Sequence, residues 1–203
     1  MNPAREVKTE RFSRTEGKTP AFVEGEVQRL LNAVETSTHT GLRDRALLAT
    51  LAYTFARIGS VVNLKVEDYY PSGKRFLLRF KEKELPVQLE ELLDEYLKAT
   101  GSEKEPGSLL FPATLRNTGK LSRRPLARTD AADLLKRRLK QAGLPTHYSP
   151  HSFRATGVTN FLENDGILEA AQRIAGYADS RTTKLYDRRG QKVLLEDMER
   201  IHY

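Results

Sequence analysis

The chain contains no cysteine, which excludes disulfide scaffolds, thiolate nucleophiles and zinc or iron–sulfur centres ligated by cysteine. Histidine is scarce as well. Of the four present, only His147 and His151 are close in sequence, and Pro150 between them argues against one continuous helix presenting both to a metal. No apolar h-region opens the chain, and the longest apolar-rich run, around Ala46 to Phe55, is too short to cross a bilayer. A soluble, cytoplasmic protein without metal or other cofactor is expected.

What is present describes a polar globular domain. The 203 residues are 38% apolar and 30% charged, with 13 glycines and 9 prolines, enough to bury one core and too balanced for a fibre or a disordered chain. The formal net charge is +7, and its distribution matters more than its size. Arg116, Lys120, Arg123, Arg124, Arg128, Lys136, Arg137, Arg138 and Lys140 lie in one stretch that holds only two acids, Asp130 and Asp133. The same sign persists through a loop and the helix after it, as a track along a phosphate backbone requires; a merely solvated face is the alternative.

Periodicity predicts a mainly α fold with a small antiparallel β-sheet, an α+β domain. Residues 1–20 are polar and aperiodic and read as a linker or tail, leaving 21–203 as the domain. Helices are expected from Val23 to Val34 and from after Gly41 to Phe55, the second the most buried of the first half. A turn at Gly59 and a short helix from Val61 to Leu64 capped by Ser60 should follow. Pro71-Ser72-Gly73 reads as a turn, Arg75–Phe80 as a strand and Leu85-Pro86-Val87 as a second, with Lys81-Glu82-Lys83-Glu84 between them. Further helices are expected at Leu89–Tyr96, Arg128–Gln141, Ser149 or Ser152 to Glu163, Ile167–Ile174, Thr182–Tyr186 and Lys192 to about Ile201. Leu109–Phe111 should be extended and Asn117–Arg124 a basic loop.

One constellation points to chemistry. His151 and Arg154 stand at i and i+3 and share a helical face. Asp165-Gly166 and Gly176-Tyr177-Ala178 break the chain afterwards, so three short helices can bring residues 151, 154, 177 and 186 to one pocket. Arg57, in FARIGS, ends the apolar run of the buried helix.

In this order and spacing the residues resemble the catalytic domain of the tyrosine recombinases, the phage integrase family. The resemblance covers residues 22 to 200 and assigns Arg57 in YTFARIGS, a hairpin lysine at Lys81 or alternatively Lys83 in RFKEKELPV, His151 and Arg154 in SPHSFRATGVT, Tyr177 in IAGYADSRTT and Tyr186 in TTKLYDR. Two positions depart from the family pattern: Tyr177 stands where His or Trp is usual, and Ser60 where an acid commonly follows the first arginine. The implied activity is site-specific cleavage and rejoining of double-stranded DNA through a 3′-phosphotyrosine, a type IB topoisomerase or an inactive DNA-binding domain being the alternatives. Tyr186 would attack phosphorus, Arg57 and Arg154 would hold the non-bridging oxygens, and His151 would hold the phosphate or accept the tyrosine proton. The hairpin lysine would protonate the leaving 5′ oxygen, and a phenol at Tyr177 can donate a hydrogen bond to a phosphate oxygen. Lys120, Arg123, Arg124, Arg128, Lys136, Arg137 and Arg138 are the expected DNA contacts. The resemblance further implies a tetramer on DNA in a full-length protein, in the cytoplasm of a bacterial or phage-type host. It also implies a catalytic fragment or truncated form, monomeric when free; the apolar tail (Val193, Leu194, Leu195, Met198, Ile201) reads as a patch that can dock on a neighbouring protomer or, alternatively, pack on its own domain.

Overall fold

A single helix, α2 (His39–Thr54), forms the axis of the structure. It is a computed structural model that describes residues 19–79, 83–115 and 118–175; the expectations placed on Lys81, Arg116, Tyr177, Tyr186, the N-terminal tail up to residue 18 and the last two helices fall outside them. From Gly41 to Leu51 every residue of α2 except Arg45 is buried, so the helix has no polar face, the pattern of a helix enclosed on all sides. Around it pack α1 (Glu26–Asn32), α4 (Val87–Thr100) and α6 (Pro150–Glu163). Leu30, Leu89, Leu93, Leu110, Leu135 and Leu139 have no exposed area, each burial stabilising the fold by about 1.5–3 kcal/mol.

Helix α2 begins two residues before Gly41, contrary to expectation. The Thr38 hydroxyl caps it by accepting the Gly41 N–H at 3.1 Å, and Gly41 sits inside because the chain crosses closely there. A Cβ at this position would lie 1.7 Å from the Glu35 carbonyl oxygen. The other end is unusual: Phe55 caps α2 in the left-handed region with φ 52°, a conformation that costs a bulky residue on the order of 1–3 kcal/mol. The next helix, α3 (Ile58–Val61), is therefore capped by Arg57 and includes Ser60 and Gly59, which corrects the expected Ser60 cap.

The main sheet has the antiparallel order β1-β2-β3, with β1 at Tyr69–Ser72, β2 at Arg75–Leu78 and β3 at Lys83–Glu84. Ser72 pairs with Arg75 across a turn in which Gly73 has φ 63°. Strand β1 was not expected, because Pro71 and Ser72 read as turn residues; Pro71 is tolerated since β1 is an edge. The expected strand Leu85-Pro86-Val87 is absent: Pro86 caps α4, which starts at Val87. The Tyr69 hydroxyl donates to Asp94 at 3.0 Å and the Phe76 N–H to Glu90 at 3.0 Å, fastening the sheet to α4. A second, two-stranded sheet pairs β4 (Pro112–Thr114) with β5 (Leu121–Pro125), so most of the expected basic loop is a hairpin. Helix α5 (Arg128–Gln141) has the expected bounds, and α7 (Leu168–Ala175) closes the described chain. A mostly helical fold with small antiparallel sheets is thus what forms, with two sheets among the described residues in place of one.

Candidate active site

Helix α6 carries the His-x-x-Arg pair. Pro150 at its first position needs no hydrogen-bond partner for a missing N–H, and the Ser149 N–H donates to the Ser152 hydroxyl at 3.0 Å. This start places His151 on the exposed first turn and Arg154 one turn further in, 3% exposed. Arg154 Nη1 donates to the Phe55 carbonyl at 2.6 Å, and its Nη2 donates to the Ala175 carbonyl. Phe55 stands two residues before Arg57, and Ala175 two before Tyr177. One guanidinium thus ties together the end of α2, the helix bearing the His-x-x-Arg pair and the end of α7.

Arg57 is exposed at the cap of α3. Arg128, at the start of α5, lies across that short helix: a Cβ on Gly59 would be 3.3 Å from Arg128 Nε. The basic stretch therefore reaches the Arg57 segment. Of its members, Lys120, Arg123, Arg124, Arg128, Lys136 and Arg137 are exposed on β5, the loop before it and α5. Arg123 is 94% exposed and 3.9 Å from Glu105, a pair of little energetic weight.

Arg138 departs from the rest. Its Nε and Nη2 donate to Asp44 at 2.9 and 2.6 Å and its Nη1 to Gln141 at 2.8 Å, so the side chain joins α5 to α2. Asp44 is itself 2% exposed, beside Arg43, whose Nε lies 2.8 Å from the Asp44 carboxylate and whose Nη1 donates to the Pro112 carbonyl. An Arg–Asp–Arg cluster is thus buried where α2, α5 and β4 meet. Sequence reasoning missed it, since charges inside an apolar run carry no local sign of burial.

For the lysine, β3 sets Lys83 opposite Leu78, and Lys81 lies outside the described residues. Where the chain leaves β2, Arg79 is fastened to the residue before β1: its N–H donates to the Asp68 carbonyl at 2.9 Å and its Nε lies 3.3 Å from the Asp68 carboxylate. The far side of α6 is fastened too. The Phe22 N–H donates to the Thr156 hydroxyl at 2.7 Å, and its ring stacks on Tyr148 at 4.1 Å. The Tyr148 hydroxyl donates to Glu26 at 2.6 Å; burial, helped by the carboxylate, pushes it up to about 12. Among the described residues no group of three or more His, Asp or Glu could hold a metal ion, and no helix is long and apolar enough to cross a membrane.

The fold is that of the DNA strand-exchange recombinases. The XerA recombinase structure aligns with a TM-score of 0.65 at 25% identity, over 91% of this chain and 66% of that one. The XerH structure aligns with a TM-score of 0.67 at 21% identity, over 90% and 53%. In sequence, residues 21–192 match the profile described as the phage integrase family. Tyrosine recombinase XerD of Listeria innocua is 30% identical over 171 residues, which is 79% of this chain and 55% of the relative. Tyrosine recombinase XerC of Halalkalibacterium halodurans is 30% identical over 200 residues, 92% and 63%. The chain belongs to the phage integrase family, and it spans a little over half the length of these relatives.

Proposed function

We propose that this chain is the catalytic domain of a site-specific DNA recombinase that cuts and rejoins strands through a 3′-phosphotyrosine. One observation carries the reading: the Arg154 guanidinium gathers the segments leading to Arg57 and to Tyr177 onto the helix that holds His151. The named functions of the XerD and XerC relatives agree with it, as does the XerH structure, which is bound to a DNA substrate in a post-cleavage complex.

In this mechanism the Tyr186 oxygen forms a bond to the scissile phosphorus as the bond to the 5′ oxygen breaks. The tyrosine proton passes to His151 or to solvent, and the hairpin lysine, Lys81 or Lys83, protonates the leaving 5′ oxygen. Arg57 and Arg154 offset the charge of the pentacoordinate transition state, and Tyr177 donates to the same phosphate. Attack of a 5′-hydroxyl from another strand on the phosphotyrosine restores a phosphodiester, so exchange needs no external energy source. Lys120, Arg123, Arg124, Arg128, Lys136 and Arg137 follow the DNA backbone; Arg138 is excluded by its bond to Asp44. Recombination uses four protomers on DNA, and the free chain is monomeric.

A library of nicked duplexes with a randomised core tests the proposal. Cleavage beside the nick releases a short oligonucleotide and traps the covalent adduct, which survives denaturing washes. The wild-type chain should yield adducts whose DNA converges on a sequence, and Tyr186→Phe should yield none. A wild-type chain that captures no DNA, or a Phe variant that still does, would refute it.

A further inference from the structure

Two non-glycine residues among those described have positive φ, Phe55 at 52° and Asp165 at 61°. A short polar side chain such as that of Asp165 accepts left-handed backbone readily, whereas an aromatic one is held there only by what surrounds it. Three contacts do the holding. The Phe55 N–H stays bonded to the Leu51 carbonyl at 3.2 Å, keeping the residue on the end of α2. Its carbonyl accepts from Arg154 at 2.6 Å. Its ring rests on bare backbone at Gly157, where a Cβ would come within 2.0 Å of two ring carbons, and packs against a small cluster of Val158, Leu162, Ala171 and Ala175.

These contacts divide between the two arginines. The left-handed turn ends a largely buried helix and sends the chain outward, so that Arg57 emerges two residues later. The same peptide unit supplies the carbonyl that orients Arg154. We infer that Phe55 is a positioning residue that sets Arg57 and Arg154 relative to each other, with Gly157 as the socket that fixes its ring. The inference rests on the recombinase reading for the use of the arginine pair and on the structure alone for the socket. The competing role, plain packing of an aromatic ring, would affect stability and leave the arginines where they are.

The two roles separate in Gly157→Ala, Phe55→Gly and the double variant, made in the 203-residue chain. A methyl at 157 should expel the ring and shift the turn; glycine at 55 accepts the left-handed conformation without a ring, so the double variant should relieve the clash. The readouts are the melting point, the guanidinium NMR signals of Arg154 in arginine-labelled protein, and single-turnover adduct formation on the captured duplex. Gly157→Ala should lose the exchange protection of the Arg154 guanidinium and about 10²-fold in cleavage rate, the size expected for an ångström of misplacement, with DNA affinity retained. The double variant should regain part of both relative to Gly157→Ala and stop at the level of Phe55→Gly, which has no ring to seat. Wild-type cleavage by folded Gly157→Ala, or a lowered melting point with unchanged Arg154 signals, would overturn the inference. Should Gly157→Ala fail to fold, Phe55→Gly decides by the same two readouts: slower cleavage with altered Arg154 signals supports the role, and wild-type values refute it. A wild-type chain that forms no adduct sinks the recombinase reading instead, and the Arg154 signals of the variants tell that failure from failure of the socket.

Discussion

Helix α2 meets buried arginines at both ends, and the two junctions differ in what the guanidinium touches. Near its start, Arg138 of α5 and Arg43 converge on the Asp44 carboxylate. Near its end, Arg154 of α6 donates to the carbonyls of Phe55 and Ala175. A carboxylate neutralises the arginine it binds, so the first junction is a joint between elements. Carbonyls orient a guanidinium, and the two at the second junction belong to segments that lead to other candidate site residues. Burial of an arginine is therefore a poor guide to its role, and its acceptors are a better one.

Removing the carboxylate should have the largest effect on stability. Asp44→Ala leaves the buried Arg43 and the partly buried Arg138 without it and should cost about 3–5 kcal/mol, read as a lower denaturation midpoint. Cleavage per folded molecule should stay unchanged, because the junction is remote from Arg57 and His151. Loss of cleavage in a chain that remains folded would erase the distinction between the junctions.

The exposed arginines extend the comparison to DNA. Arg124→Ala should lower the slope of log affinity against log salt by about 0.9, the value for one phosphate contact. Arg138→Ala, by contrast, should destabilise the chain and leave the slope as it was. A smaller slope for Arg138→Ala would put that side chain back on the DNA surface.

A smaller effect concerns pH. Tyr148 is pushed up to about 12, and Tyr69 and Tyr96 are raised further, each chiefly by burial. Because the folded state opposes their ionisation, stability is fully present below about pH 10, the unfolded value, and is lost as pH rises through the folded values. Among the described tyrosines, Tyr148, Tyr96 and Tyr69 should titrate late in tyrosinate absorbance, Tyr148 the first of the three. Replacement of Tyr148 by Phe should make the loss between about pH 10 and pH 12 less steep, by the share of one tyrosine.

Much of this was legible in the sequence, and the reasons are specific. Helix α5 has a clear apolar period from Ala131 through Leu139 and no interior glycine, so its bounds were readable. The His151/Arg154 spacing is local and survived intact. Strand β1 escaped notice because Pro71-Ser72-Gly73 signals a turn, and that turn is displaced by one residue, to the segment around Gly73. Gly41 and Gly59 read as breaks, yet both lie inside helices: at Gly41 the Glu35 carbonyl leaves room for a hydrogen only, and at Gly59 a Cβ would press on the Arg128 side chain at 3.3 Å. The burial of Arg154, the left-handed turn at Phe55 and the cluster on Asp44 depend on segments far apart in sequence. No local pattern encodes them.

The most direct test of the difference between the junctions is to compare Arg154→Lys with Arg138→Lys in single-turnover cleavage of the captured duplex. An ammonium cannot reproduce two divergent guanidinium bonds. Arg154→Lys should therefore lose about 10²–10³ in rate, the scale of a lost oxyanion donor, while Arg138→Lys should cleave at the wild-type rate with a lower melting point. Equal losses in the two variants, or wild-type cleavage by Arg154→Lys, would contradict the account.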